Sequence, residues 1–208
     1  MSEELSFIHR FEPAPQPDAG ARPLLLLHGT GGNEDDLIPL GRMIAPHAAL
    51  LSPRGKVLEN GMPRFFRRLA EGVFDEEDVR RRAHELADFV EQARMAYGIA
   101  APIAVGYSNG ANIAAATLLL RPEILARAVL LRAMTPFADA EGGPLGGKPV
   151  LILSGARDPL VPADNAARLA SLLQQAGASV EHRVVQAGHD LSQADITLAR
   201  SWLEAREG

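Results

Sequence analysis

No cysteine occurs in the 208 residues, which removes disulfide frameworks, thiolate metal sites and cysteine nucleophiles at once. That absence suits a reducing compartment and leaves serine to carry any comparable chemistry. Long hydrophobic runs are missing as well. Aliphatic stretches such as Leu24–Leu27 are far too short to cross a bilayer, and Met1 to Pro17 holds acidic residues without an apolar core of signal-peptide length. A cytoplasmic protein with no integral membrane association is the expectation. Cationic excess is lacking too: the formal net charge of -5 repels phosphate backbones and anionic surfaces, so no nucleic-acid partner is expected. Interdomain linkers, internal repeats and any insertion large enough for a separate lid are also absent. The whole of 1–208 is therefore read as one domain, with 1–21 as an N-terminal edge strand or arm.

What is present is an alternation of short apolar runs with helical patterns. Leu24–Leu27, Ala48–Leu51, Ile103–Val105, Ala128–Leu131, Val150–Leu153 and Val180–Val185 read as strands. Most are continuously apolar, as expected where helices cover both faces of a sheet. Asp75–Tyr97 places Val79, Ala83, Leu86, Val90, Ala93 and Tyr97 on one stripe, the pattern of a surface helix. Further helices are expected at Asn109–Leu120, Ala163–Gln175 and Leu191–Ala205. Such alternation implies right-handed crossovers and a mostly parallel sheet with its ligand site at the carboxyl ends of the strands. The longest irregular stretch, Pro53 to Phe74, is the candidate to wall a pocket.

One strand end carries Gly106-Tyr107-Ser108-Asn109-Gly110 just before a helix. In a strand-to-helix turn this sharp, side chains at both glycine positions would collide with their neighbours, and Ser108 is held strained with its hydroxyl exposed. Ser108 is therefore the candidate nucleophile; the plain alternative is a serine that merely caps the helix. Asp158 follows the apolar run Val150–Leu153 within Gly-Ala-Arg-Asp-Pro-Leu-Val-Pro, where a carboxylate can orient a histidine and stabilise its imidazolium. Asp164, Asp190 and Asp195 are weaker rivals, because none follows a strand so directly. His189, in Gly-His-Asp after the last expected strand, is the candidate base. Of the other histidines, His84 falls in the surface helix and His182 inside a strand; His9, His28 and His47 read as core or surface. The order Ser108, Asp158, His189 is that of α/β hydrolases.

Attack on an acyl carbonyl develops a negative oxygen that needs fixed donors. His28-Gly29-Thr30-Gly31-Gly32-Asn33 after the first apolar strand lets backbone approach closely, which makes the N–H groups of Thr30 and Asn109 the candidate oxyanion hole. The lysine and the following Ser/Thr of a phosphate-binding loop are missing. Phe65, Phe66 and Leu160 are candidate walls of an apolar substrate pocket. Arg64, Arg67 and Arg68 read mainly as a solvated face, with the holding of an anionic substrate group as the alternative.

Taken together, the His-Gly-Thr-Gly-Gly-Asn loop, Gly-Tyr-Ser-Asn-Gly-Ala-Asn, Gly-Ala-Arg-Asp-Pro-Leu-Val-Pro and Gly-His-Asp resemble the phospholipase/carboxylesterase family of α/β hydrolases, which includes bacterial carboxylesterases and acyl-protein thioesterases. The resemblance runs from about Leu24 to the C-terminus. It implies an α/β-hydrolase fold, helices on both faces of a mostly parallel sheet, and a lidless serine carboxylesterase that needs no metal or cofactor. It also implies short- to medium-chain acyl esters as small-molecule substrates, and it is compatible with a homodimer. Ser108, Asp158 and His189 match the family's triad positions, and Thr30 and Asn109 its oxyanion positions. Acyl-protein thioesterases usually carry Gln where this chain has Asn109, which favours the bacterial carboxylesterase branch. Within that branch, Pro63-Arg64-Phe65-Phe66 resembles enzymes linked to hydroquinone or catechol stress. A thioesterase, a lysophospholipase or an amidase of the same fold is the enzymatic alternative; a non-catalytic ligand-binding relative is the alternative of another class.

Overall fold

The computed structural model describes residues 5–16, 22–139 and 143–206. Seven strands form one sheet: β1 (His9–Glu12), β2 (Leu24–Leu27), β3 (Leu50–Pro53), β8 (Ile103–Tyr107), β9 (Arg127–Leu131), β10 (Pro149–Gly155) and β11 (Ser179–Val185). Their spatial order is β1-β3-β2-β8-β9-β10-β11. Every pairing is parallel except that of β1, which runs antiparallel along β3 with His9 opposite Pro53 and Glu12 opposite Leu50. Of the arm expected over 1–21, β1 is the edge strand; residues 1–4 and 17–21 lie outside the described residues.

The alternation of a strand decides what each side chain packs against. Leu24, Leu26, Val105, Val129, Leu131, Leu151 and Leu153 pack with helices α1 (Ile38–Ile44) and α5 (Gln193–Glu204), whose Trp202 and Leu203 are buried. Leu25, Leu27, Ala104, Ala128, Leu130, Val150 and Ile152 face the other way, onto α2 (Glu76–Tyr97), α3 (Asn109–Leu120) and α4 (Ala163–Gln175). Both faces of the sheet are thus covered, the physical reason these strands are apolar without interruption.

The long helix begins where its sequence says it should. Asp75 caps α2 by accepting the Asp78 N–H, three acidic residues occupy the first turn, and Gly98 at φ 64° ends it in the left-handed conformation. Strands β3, β8, β9, β10 and β11 each differ from the sequence reading at one or both ends. Two features differ outright. The seven-residue α1 was not expected; its N-cap residue Leu37 makes no side-chain cap bond. The stretch read as irregular is instead two hairpins, β4 (Val57–Glu59) with β5 (Met62–Arg64) and β6 (Arg68–Ala70) with β7 (Val73–Phe74). Asn60 and Gly61 turn the first, both at positive φ, as a two-residue Asn-Gly loop requires.

Candidate active site

Ser108 sits between β8 and α3 at φ 52°, ψ -115°, a conformation a non-glycine residue holds at a cost of about 1–3 kcal/mol. Its surroundings enforce that conformation. The Ser108 N–H donates to the Leu131 carbonyl at 2.8 Å. A Cβ on Gly106 would lie 2.5 Å from the Gly110 carbonyl oxygen, and one on Gly110 would lie 2.0 Å from that of Leu27. The two glycines therefore let the turn close against the neighbouring backbone and push the serine hydroxyl outward, under the positive end of α3.

The loops after β10 and β11 bring Asp158 and His189 to that hydroxyl. His189 Nε2 is 3.0 Å from Ser108 Oγ, and Nδ1 is 2.9 and 3.1 Å from the two carboxylate oxygens of Asp158. Because Nδ1 faces acceptors only, the ring proton resides there, and Nε2 is left to accept from the serine. The Asp158 side chain is fully buried and fixed in turn: its Oδ1 accepts the N–H groups of Leu160 at 2.8 Å and Val161 at 3.1 Å. Tyr107 donates its hydroxyl to the His189 carbonyl at 3.2 Å.

Among the rival carboxylates, Asp164 lies in the first turn of α4, and Asp195 is committed elsewhere. Asp195 forms a two-pronged, buried ion pair with Arg132, both bonds 2.8 Å long. Arg132 also donates to the carbonyls of Gly188 at 2.8 Å and Asp190 at 3.1 Å, so it grips the loop on either side of His189. Sequence reasoning passed over this residue. The available signal was an arginine directly after the apolar strand Ala128–Leu131, a place where a charge is costly to bury without a partner.

His28, read as core or surface, is buried: Nδ1 donates to the Gly29 carbonyl at 2.6 Å and Nε2 accepts the Gly55 N–H at 2.9 Å. Burial pushes its pKa below the usual histidine value, which keeps it neutral while it ties the glycine-rich loop to the end of β3. Thr30 lies in that loop, and its N–H has no backbone acceptor among the described residues. The Asn109 N–H is the first of α3 and has no intrahelical acceptor either. Both residues line a cavity of about 300 Å³ that also contains Ser108 and His189.

The remaining walls differ from the sequence reading. Leu160 lines the cavity, but Phe65 and Phe66 do not. Both rings are buried in the core, Phe65 against His28 and Phe66 edge-on to Phe74. The expected aromatic wall is corrected accordingly. Their segment braces the site instead: the Pro63 carbonyl accepts the Gly31 N–H at 2.9 Å, and the Phe65 N–H donates to Asn109 Oδ1 at 2.7 Å. The β6–β7 hairpin supplies Arg68, Glu71, Gly72 and Phe74 to the wall. A solvated face describes Arg67, which is exposed and paired with Asp75, but not Arg64. Arg64 is buried at 3% exposure, donates from Nη1 to Thr30 Oγ1 at 2.7 Å, and lines the cavity.

Comparison with known proteins places the chain in a family of hydrolases. The family model described as Phospholipase/Carboxylesterase matches residues 14–206. The protein MhqD of Bacillus subtilis (strain 168) is 49% identical over 181 residues, 86% of this chain and 90% of its own length. A carboxylesterase from Bacillus cereus superimposes with a TM-score of 0.92 at 43% identity, covering 96% of this chain and 94% of that one. A carboxylesterase from Mesorhizobium loti does so with a TM-score of 0.91 at 33% identity, covering 97% and 96%.

Proposed function

Because the chain belongs to the phospholipase/carboxylesterase family of hydrolases, we propose that it is a serine carboxylesterase that cleaves short- to medium-chain acyl esters through an acyl-enzyme on Ser108. The observation that carries this reading is the unbroken relay from Asp158 through His189 to Ser108 Oγ. His189 Nε2 takes the serine proton as Oγ attacks the ester carbonyl carbon, and Asp158 stabilises the resulting imidazolium. Charge developing on the carbonyl oxygen is met by the N–H groups of Thr30 and Asn109. His189 then gives its proton to the departing alcohol. Water, deprotonated by the same nitrogen, attacks the acyl-enzyme, and His189 returns that proton to Ser108 Oγ as the acyl–Oγ bond breaks and the acid leaves.

A cavity of about 300 Å³ lies at the small end of the roughly 300–1,000 Å³ usual for ligand sites, which supports short to medium acyl chains. The single sheet running from β1 to β11 supports one domain as the working unit.

The test is a p-nitrophenyl ester series from acetate to palmitate, run on the wild type and on Ser108→Ala. Turnover that peaks at short or medium chains and falls on the order of 10⁴- to 10⁶-fold in the variant is expected. No wild-type turnover, or equal turnover in both proteins, overturns the proposal. Acyl thioesters and lysophospholipids in the same assay separate the ester reading from its thioesterase and lysophospholipase relatives.

A further inference from the structure

The wall of the cavity is rich in hydrogen-bond donors that lack acceptors. Arg64 uses Nη1 on Thr30 and Nε on the Phe66 carbonyl at 3.2 Å, with Glu59 Oε2 also 3.2 Å away. Its Nη2 has no acceptor among the described residues. Arg68 directs Nε to Glu59 Oε1 at 2.9 Å, and neither of its terminal nitrogens has one. Glu59 is thus a single carboxylate between two guanidinium groups, a local excess of one positive charge. Consistent with that excess, burial and then the charge of Arg68 push the Arg64 pKa below the usual arginine value, against the opposing pull of Glu59.

Two amides on α3 also carry unpartnered NH₂ groups. Asn112 Oδ1 accepts the Met134 N–H at 2.7 Å, and Asn109 Oδ1 accepts that of Phe65. A backbone N–H demands an oxygen, so in each amide the NH₂ group is the one turned away. The Asn112 NH₂ has no acceptor among the described residues. That of Asn109 is equally unpartnered but sealed from solvent, so it is closed to a ligand in the cavity. Arg64, Arg68, Asn109 and Asn112 all line the cavity that holds Ser108. Glu71, also on the wall, is solvent-exposed, where its charge is screened.

Building on the esterase reading, we propose that the preferred substrates are esters that carry a second, ionised carboxylate, held by Arg64 and Arg68 with the Asn112 amide. A carboxylate offers about four acceptor sites in one plane and matches the guanidinium fork. An aliphatic ester offers the Arg64, Arg68 and Asn112 donors no such acceptor.

Monoethyl adipate and ethyl hexanoate share the acyl chain length and differ in the carboxylate, so the ratio of their kcat/KM values reads the charge alone. Acid release followed by pH-stat should favour the charged ester by about ten- to hundredfold, the worth of charge-assisted hydrogen bonds. Arg68→Gln should bring the ratio to near one, Arg68→Lys should retain part of it, and added salt should lower it. A wild-type ratio near one, or a preference untouched by Arg68→Gln, overturns the proposal.

Binding separates this inference from the reading beneath it. In calorimetry on Ser108→Ala, monoethyl adipate should bind and ethyl hexanoate should not, with the difference lost in Ser108→Ala/Arg68→Gln. If neither ester is hydrolysed but this discrimination persists, the esterase reading fails and the carboxylate site stands; equal binding of the two esters overturns the site.

Discussion

Two buried arginines flank the candidate nucleophile, and they are paired differently. Arg132 has a carboxylate of its own, Asp195, and its remaining donors meet backbone carbonyls. Arg64 shares Glu59 with Arg68 and keeps one nitrogen without an acceptor among the described residues. A guanidinium that is satisfied on every side fixes the loop around it. One that is satisfied on most sides is held in place and still has something to offer a ligand. Burial is common to both, so burial alone does not tell a structural charge from a binding charge; the count of unmet donors does.

That contrast can be broken at its stronger end first. Arg132→Met removes the partner of a buried carboxylate, which usually costs about 3–5 kcal/mol, and urea denaturation at neutral pH should register a loss of that size. Turnover should fall as well, because the Gly188 and Asp190 carbonyls lose the donors that hold the histidine loop.

Acid should then narrow the gap between variant and wild type. In the wild type, burial raises the Asp195 pKa, but the Arg132 guanidinium and the Ser192 N–H and hydroxyl outweigh it, leaving the carboxyl below its ordinary value. Its contribution is therefore complete above the unfolded aspartate pKa near ~3.9 and is lost as pH falls through the folded one. In Arg132→Met the same carboxyl is buried without a cation, and its pKa rises above the unfolded value. That variant should regain stability as acidification protonates it. Denaturation midpoints at several pH values check the sign, and parallel curves for the two proteins would contradict it.

At the weaker end, Arg64→Met should cost less, about 1–3 kcal/mol, because Glu59 keeps Arg68 and Thr30 keeps a hydroxyl that water can reach. Thermal denaturation of the two arginine variants side by side should rank them in this order. Glu59→Gln should cost no more than Arg64→Met, about 1–3 kcal/mol, because the buried Arg64 loses its carboxylate while the amide oxygen can still accept from one guanidinium. It should at the same time raise the preference for monoethyl adipate, since it removes the carboxylate that both guanidinium groups share.

How much of this was legible in the sequence depends on how local the cause is. The parallel strands of the main sheet are legible as short, mostly apolar runs, and α2 as an apolar stripe. The turn at Ser108 follows from two glycines that admit no Cβ. Asp158 stood out because it follows an apolar strand closely, and His189 because it lies in the loop between the last strand and the last helix. The helix α1 was missed because seven residues hold too few turns for a periodic signal. The hairpins of 57–74 were missed because their strands are two or three residues long and partly polar, although Asn60-Gly61 was a turn signal in plain view. Phe65 and Phe66 were misassigned for another reason: an aromatic pair beside a pocket and an aromatic pair beneath it have the same sequence.

The sequence by itself determined which segments become the parallel strands and the helices α2 to α5, and where a serine, a carboxylate and an imidazole leave the carboxyl edge of the sheet, because those outcomes depend on neighbours a few residues away. Only the tertiary structure decided that Arg132 belongs to Asp195, 63 residues on, that Arg64 reaches Thr30 across 34 residues, and that the donors of Arg68 and Asn112 meet over one cavity. The pairing of charges and amides is settled by distance in space, and distance in space is what periodicity and composition do not encode.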